Sequence, residues 1–279
     1  MSNTLEQAVI AITGAGSGIG KALAMQAASH NMRIALSDIA LDKLEVTCGE
    51  LKLQYPECQV MINKLDVTDK DAFSNWANDI NTHFGEINII INNAGVALSS
   101  SVSSMNYEDF EWLMDINFWG VVYGSKAFLP FIENAQWGHI INISSLFGLI
   151  STPNTSAYNA SKFAVRGFTE SLRIEMAITH PNIAVSCVHP GGIKTNIANA
   201  SRDGGDKVGK AGRMSREESR RDFNERLAKT TPEQAAQIIF DGIAKKKARI
   251  LVGSDAKMLD LIQRFLPTRY QSIVKKILG

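Results

Sequence analysis

Cysteine is scarce in this sequence. Only Cys48, Cys58 and Cys187 occur, far apart, and no C-x-x-C pair is formed. The chain therefore offers neither a disulfide framework nor a cysteine-based zinc site. The five histidines form no metal-binding motif, so no metal is expected. Long apolar runs are missing as well, because none approaches the roughly 18 residues that a membrane span needs.

An excess of charge of one sign is also missing. The formal net charge is +1 at pH 7, which gives no general attraction to nucleic acid, and no nucleic-acid partner is expected. Residues 1–7 are too short and too polar for a signal peptide, so a cytoplasmic location is expected. With 279 residues and 45% hydrophobic content, the chain suits one large α/β domain.

What the sequence does have is an alternation of short, β-branched apolar runs with helical stretches. This pattern predicts a doubly wound α/β (Rossmann) fold, a mostly parallel seven-stranded sheet with helices on both faces, as a single domain over residues 1–279. A long helix is expected over residues 107–133. The predicted strands are 8–13, 33–38, 59–65, 87–91, 139–143, 183–188 and 249–252.

The first predicted strand runs into a glycine-rich turn. Gly14, Gly18 and Gly20 follow the pattern G-x-x-x-G-x-G and precede a helix-forming stretch. Glycines let the backbone approach a pyrophosphate, and the N–H groups of the helix start point at it. Such a turn by itself could equally be a plain loop, but a strand before it and a helix after it favour a dinucleotide site.

Asp38 stands at the end of the second predicted strand. A dinucleotide fold places there the carboxylate that accepts hydrogen bonds from the adenosine ribose. A 2′-phosphate would meet like charge, and the next residue, Ile39, supplies no cation, so NAD is favoured while NADP remains an alternative. Asp38 could also cap the following helix, and the two roles can coexist.

Tyr158 and Lys162 are four residues apart, which places both side chains on one face of a helix. A phenol has a pKa near 10, and a neighbouring ammonium favours the phenolate. Bringing the phenol to neutrality requires about 4 kcal/mol, which nearby charge can supply. The pair on its own fits an ordinary helix better, and the remaining motifs decide between the two readings.

Together these residues resemble the short-chain dehydrogenase/reductase family. The resemblance covers Val9 to about Thr195, and it implies an NAD(P)-dependent oxidoreductase that acts on CH–OH groups. Six motifs occur in the family's order: Thr13–Gly20, Asp66–Val67, Asn92–Gly95, Asn117, Ser145 with Tyr158 and Lys162, and Pro190–Gly191.

The resemblance implies a role for each catalytic residue. Tyr158 would be the acid/base, and Lys162 would lower its pKa and hold the nicotinamide ribose. Ser145, selected over Ser144 by the family's spacing, would donate to the substrate oxygen, and Asn117 would hold a water molecule in a proton relay.

The resemblance also implies the cofactor contacts and the assembly. Asp66 and Val67 would flank the adenine, Ile193 and Thr195 would hold the carboxamide, and a homodimer or homotetramer is expected. The implied cofactor-binding residues are Gly14, Ser17, Gly18, Ile19, Gly20, Asp38, Asp66, Val67, Asn92, Ala94, Gly95, Tyr158, Lys162, Pro190, Gly191, Ile193 and Thr195.

The expected substrate pocket is apolar and contains no arginine for a carboxylate. A lipophilic secondary alcohol or ketone is therefore expected, such as a steroid, a retinoid or a fatty-chain carbonyl. Residues 196–230 are charged and glycine-bearing, which predicts a flexible substrate lid. The expected lining, beside Ser145, is Val96, Leu98, Leu146, Phe147, Ile193 and Ile197.

Two questions stay open at the level of sequence. Residues 255–279 form an amphipathic tail, which we expect to pack on the chain's own core or on a partner subunit, with peripheral membrane contact as the alternative. A non-catalytic dinucleotide-binding sensor or scaffold of the same fold is the alternative function. The presence of all four implied catalytic residues favours the enzyme.

Overall fold

A computed structural model describes residues 5–197, 200–203, 221 and 228–278. Seven strands form one entirely parallel sheet in the order β3-β2-β1-β4-β6-β7-β9, which confirms the expected single-domain Rossmann fold. These strands are β1 Val9–Thr13, β2 Arg33–Asp38, β3 Val60–Lys64, β4 Ile89–Asn92, β6 Gly138–Ile143, β7 Ile183–Pro190 and β9 Arg249–Val252. Two short strands, β5 Leu98–Ser99 and β8 Arg202–Asp203, pair separately.

Helices cover both faces of the sheet. Along β1, Ile10 and Ile12 pack into the core on one face while Val9 and Ala11 pack into the core on the other, because strand side chains alternate. The first face is covered by α1 Gly18–Ser29, α2 Leu41–Gln54 and α7 Pro232–Ala244, and the second by α3 Lys70–Phe84, α5 Gly120–Asn134 and α6 Ser156–Thr179. Both faces being buried explains the continuous apolar runs of the central strands.

The expected long helix over residues 107–133 is helical throughout, with a π-helical turn in its middle. It consists of α4 Tyr107–Met114, one π-helical turn at Asp115–Trp119, and then α5. A π turn inserts one extra residue into the helix, which shifts the direction of the side chains that follow. The inserted turn carries the buried Asn117, one of the expected catalytic residues.

The region expected to form a lid lies mostly outside the described residues. The described part contains β8, which pairs in parallel with β5. There the guanidinium of Arg202 lies 3.7 Å from the ring centre of Trp112 and donates to Asp109 at 3.3 Å. Arg202 therefore links β8, which follows the expected pocket residues in the chain, to α4.

The C-terminal tail forms two helices, α8 Ser254–Phe265 and α9 Tyr270–Leu278. Their inner side packs on this chain's own residues, Leu146 and Ile150, through Tyr270 and neighbouring apolar side chains. The Tyr270 hydroxyl also accepts a hydrogen bond from the Ser151 backbone N–H at 3.2 Å. Among the described helices, none combines the length and the apolar content that crossing a bilayer requires.

The buried side chain of His139 makes the stability of the fold depend on pH. His139 shares a 2.7 Å hydrogen bond with Ser186, and burial, with a smaller contribution from Lys246, lowers its pKa to about 3. In the unfolded chain the pKa is about 6.5, so the unfolded state takes up the proton first, and stability is lost as the pH falls from 6.5 towards 3.

When the pH falls from 7 to 5, the unfolding free energy of His139→Gln should therefore decrease by about 2 kcal/mol less than that of the unaltered protein, as measured by urea denaturation. His83→Gln, at an exposed site on α3, is the control and should show the full loss. An equal loss in all three proteins would contradict the role given to His139.

Candidate active site

One cavity of about 500 Å³ opens at the carboxyl ends of the strands, where ligands bind in parallel α/β sheets. It brings together most of the residues that the sequence singles out. Those that line it are Gly14, Ser17, Gly18, Ile19, Asp38, Asp66, Val67, Ala94, Gly95, Val96, Leu98, Ser145, Phe147, Tyr158, Lys162, Pro190, Gly191, Ile193, Thr195 and Ile197.

Four expected site residues do not line the cavity: Gly20, Asn92, Leu146 and Asn117. Gly20 packs against the Gly14 carbonyl, where a Cβ would collide with backbone atoms. Leu146 is buried beside Ile150 and Tyr270 in the layer behind the cavity. Asn117 lies just behind Gly95, within reach of the cavity wall.

The placement expected for Asn92 is corrected by the structure. Its amide points away from the cavity and donates to Asn142 at 2.8 Å and to Ser125 at 3.3 Å. Side chains alternate along a strand, so the next residue, Asn93, points the other way. Asn93 lines the cavity, and its amide donates to the carbonyls of Thr13 and Gly14 at 2.8 and 3.2 Å.

The glycine turn has the shape of a phosphate cradle. Gly14 and Gly18 have φ angles of +66° and +55°, which side chains with a Cβ rarely adopt. Ser17 is the N-cap residue of α1, so the first free N–H groups of that helix face the cavity. A helix N-terminus with closely approaching backbone binds a diphosphate, so these residues fit a dinucleotide.

The carboxylate of Asp38 is held rigidly at the far end of the cavity. One oxygen accepts from the Gly16 N–H at 2.9 Å, and the other accepts from Ala40, the N-cap residue of α2, at 3.0 Å. The bond from Ala40 closes a turn ahead of α2 and does not cap the helix, whose first turn has no side-chain cap. The Asp38 carboxylate also lines the cavity. Lys43 lines the cavity beside it, so a cation is present at this end after all, although Ile39 itself is uncharged.

Tyr158 stands in the cavity wall with its ring largely enclosed by protein. Burial raises the pKa of the phenol above its usual value, and a hydrogen bond with the Ser145 side chain lowers it in part. The expected lowering of the Tyr158 pKa by Lys162 is therefore not the dominant effect on the phenol in this structure. The Ser145 hydroxyl accepts from the Phe147 N–H at 3.1 Å, which leaves its own proton free to donate.

Lys162 is a buried cation one helical turn below Tyr158. Its ammonium donates to the Ile143 carbonyl at 3.1 Å and lies 5.7 Å from the centre of the Tyr158 ring. Burial lowers the pKa of Lys162 to about 8, and Cys187 has a smaller opposing effect. The side chain therefore remains mostly protonated at neutral pH, although it sits close to its titration range.

Asn117 fixes the strand-end loop that passes over Lys162. Its amide accepts from the Val96 N–H at 2.8 Å, donates to the Val96 carbonyl at 2.9 Å, and donates to Ser161 at 3.2 Å. Gly95 lies between Asn117 and the Lys162 ammonium, with too little space for a larger side chain. The π turn thus joins the loop to α6 through Ser161.

The backbone of Ser145 is supported from behind by a residue that sequence reasoning missed. The His189 Nδ1–H donates to the Ser145 carbonyl at 2.9 Å, and burial lowers the pKa of His189 to about 4. The ring is therefore neutral, with the proton on Nδ1. His189 precedes the Pro190–Gly191 motif, so its position at the end of β7 was the available signal.

Asp255, the second residue of α8, is a further residue that the sequence analysis missed. Its carboxylate accepts from the Gly192 N–H at 2.7 Å and fills the space that a side chain at Gly191 would need. The C-terminal tail therefore holds the turn that carries Ile193 and Thr195. Asp255 lies three residues beyond the end of β9, and the rule that ligands bind at strand ends, applied to β9, could have found it.

Metal chemistry has no donor set in the described part of the chain, since no group of three or more His, Cys, Asp or Glu residues comes together there. The arrangement that does come together is a phosphate cradle at one end and a tyrosine, serine and lysine at the other. These residues can bind a dinucleotide and move a proton at an oxygen atom.

Comparison with known proteins agrees with this geometry. The family profile described as short chain dehydrogenase matches residues 8–205. SadH of Mycobacterium tuberculosis is 45% identical over 274 residues, which cover 98% of this chain and 95% of that protein. Dehydrogenase/reductase SDR family member 7B of Mus musculus is 33% identical over 251 residues, 89% of this chain and 74% of that protein.

A solved structure supports the same assignment. A short-chain dehydrogenase/reductase from Burkholderia phymatum, in complex with NAD, superposes with a TM-score of 0.84 at 27% identity and covers 96% of this chain and 95% of its own. The chain therefore belongs to the short-chain dehydrogenase/reductase family and is an oxidoreductase with a Rossmann nucleotide-binding fold.

The contact between Asp255 and Gly192 can be tested through stability. Asp255→Ala removes a charge-assisted acceptor and should lower the unfolding free energy by roughly 1–3 kcal/mol and speed hydrogen exchange at the Gly192 amide. Asp255→Asn keeps an oxygen acceptor and should recover part of both. Asp79→Ala, at an exposed site on α3, is the control, and if its exchange and stability equalled those of Asp255→Ala, the contact would have no such role.

Proposed function

We propose that this protein transfers a hydride between NAD and a lipophilic secondary alcohol or ketone, with Tyr158 as the acid/base. The observation that carries the proposal is the convergence of Tyr158, Ser145 and Lys162 on one wall of a cavity whose opposite end holds the glycine turn and Asp38. A bound nicotinamide supplies the redox step, and the protein supplies alignment and proton transfer.

The cofactor would lie along the strand ends, from Asp38 to Lys162. The glycine turn and the α1 N-terminus would bind the diphosphate, and Asp66 and Val67 would flank the adenine. Ala94 and Gly95 would line the adenosine side. Ile193 and Thr195, in the turn held by Asp255, would hold the carboxamide, and Pro190 and Gly191 beside them would also contact the cofactor.

Tyr158 and Ser145 would share the substrate oxygen. Reduction of a carbonyl builds negative charge on oxygen, and two donors stabilise it most in the transition state. In oxidation, the Tyr158 phenolate would accept the alcohol proton. Because burial raises the Tyr158 pKa, the positive charge of Lys162 has to favour the phenolate against desolvation. Asn117, bonded to the Gly95–Val96 loop, would hold the relay water that serves Lys162.

Asp38 favours NAD over NADP in this proposal. Two backbone N–H groups fix the Asp38 carboxylate, so it cannot turn away from the 2′-phosphate of NADP. The negative charges of the carboxylate and the phosphate would therefore repel each other. Lys43 lies in the same part of the cavity and would moderate the repulsion, which keeps NADP as the weaker alternative. The related Burkholderia phymatum structure contains NAD.

The substrate end of the cavity is apolar, which supports a steroid, retinoid or fatty-chain carbonyl as substrate. Val96, Leu98, Phe147 and Ile197 line it around Ser145. Apolar side chains of this kind favour the burial of lipophilic ligands.

A homodimer or homotetramer and a cytoplasmic location belong to the same proposal. Trp119 is 44% exposed in the π turn and stacks on Tyr123, which leaves an aromatic surface suited to subunit contact.

The alternative function, a non-catalytic dinucleotide sensor, keeps one observation in its favour: the cradle and Asp38 would bind a cofactor whether or not chemistry follows. The four residues Asn117, Ser145, Tyr158 and Lys162 weigh against it, because a sensor has no need for a proton-transfer group beside a buried cation.

Removing the phenol oxygen tests the enzyme against the sensor. Tyr158→Phe should bind NAD with unchanged affinity but turn over about 100- to 10,000-fold more slowly, because the proton-transfer group is gone. Secondary alcohols and ketones would be screened by cofactor absorbance, and the best of them would be used for the rates. Tyr107→Phe, 85% exposed on α4, is the control and should be fully active. Full activity in Tyr158→Phe would overturn the assignment.

The cofactor preference depends on a single carboxylate. Asp38→Ala removes the charge that repels a 2′-phosphate, so the ratio of kcat/KM for NAD to that for NADP should fall at least about tenfold. Asp42→Ala, in the exposed first turn of α2, should leave the ratio unchanged. If Asp38→Ala also left it unchanged, the ribose assignment would be rejected.

A further inference from the structure

The outer side of the tail helix α8 is an exposed apolar stripe. Met258, Leu261 and Phe265 are 56%, 57% and 77% exposed. Their spacings of three and four residues place them along one line on the helix surface. We define these three residues as the tail stripe. Large apolar side chains grouped on one exposed line mark an interaction surface, whereas single exposed ones do not.

The charges of the tail are sorted between its two sides. Its two acids point inward: Asp255 accepts from Gly192, and Asp260 is buried between Arg249 and Arg264 at 2.8 and 2.9 Å. Its cations are exposed, although Arg264 is also paired with Asp260. These cations are Lys257, Arg264, Arg269, Lys275 and Lys276.

This distribution of charge distinguishes between possible binding partners of the tail stripe. In a two-fold contact between copies the same patch meets itself, so the cations of one tail would face the cations of the other. Nucleic acid would match the cations but not the apolar stripe. An anionic bilayer matches both, because apolar side chains enter the acyl boundary while lysine and arginine stay at the phosphate level.

We propose that the tail stripe docks on an anionic membrane surface, with the exposed cations of the tail against the lipid phosphates. The helices are already ordered on the chain: α8 is joined to α6 and β9 through Arg249, which bonds both Glu170 and Asp260. Docking therefore does not require the folding of a free segment, which would weaken the binding.

The inner side of the same helices packs against the substrate end of the cavity. Leu259 and Ile262 belong to the cluster that contains Phe147, and Phe147 lines the cavity. Docking would place that end of the cavity close to the lipid. The supply of a lipophilic substrate from the membrane follows only if the proposed function holds, whereas the docking itself does not depend on it.

Flotation of the full-length protein with lipid vesicles tests the docking. The protein should float with phosphatidylcholine vesicles that contain about 30% phosphatidylglycerol, and much less with pure phosphatidylcholine or in 0.5 M salt. Leu261→Ser combined with Phe265→Ser should reduce the bound fraction at least about tenfold, because two apolar side chains no longer enter the bilayer.

The matched control carries Val46→Ser and Leu53→Ser, two side chains on α2 that are 59% and 85% exposed. It should float like the unaltered protein. No flotation of the unaltered protein, or equal loss in both double variants, would overturn the proposal. Loss of a dimer in Leu261→Ser/Phe265→Ser by analytical ultracentrifugation, without any vesicle binding, would instead assign the stripe to a second copy of the chain.

Discussion

The burial of one ammonium group sets the requirements that the rest of the site meets. Lys162 is only 4% exposed, and its charge is stabilised by the Ile143 carbonyl at the end of β6. Removing a cation from water is costly, so such a position persists only where surrounding dipoles are fixed. The sheet fixes the carbonyl, and α6 fixes the lysine. The same enclosure raises the pKa of Tyr158, so the residues that would perform the chemistry are themselves desolvated.

Around this cation, the walls of the cavity come from distant parts of the chain. Thr13, at the end of β1, accepts from the N–H groups of Asn93 and Ala94, which joins the cradle to the end of β4. The opposite wall depends on the tail, through Asp255 and Tyr270. The part that resembles the family most closely therefore supplies the proposed reacting groups, and the C-terminal tail supports one wall of their cavity.

Much of the fold could be predicted from the sequence, because each buried strand is a short apolar run between clear breaks. The order of the motifs, with Tyr158 four residues before Lys162, placed the site as well. The π turn could not be predicted, since one extra residue hardly disturbs helical periodicity. Which of Asn92 and Asn93 faces the cavity could not be predicted either, because it depends on where β4 ends. The direction of the Tyr158 pKa shift depends on burial, which the sequence does not show. The contact of Asp255 with Gly192 joins residues 63 positions apart, so local sequence does not indicate it.

The entirely parallel sheet has a consequence for how this chain folds. The first strand in sequence, β1, lies in the middle of the sheet, between β2 and β4. Parallel neighbours cannot be joined by a tight hairpin, so each pairing must wait for a crossover to close, and the Ile10–Ile89 pair closes a long loop. Chains rich in such distant pairings fold slowly. The sheet thus has two parts that meet at β1, namely β1–β3 and the strands β4, β6, β7 and β9. The contact of Asn93 with the Gly14 carbonyl forms only when these two parts pair.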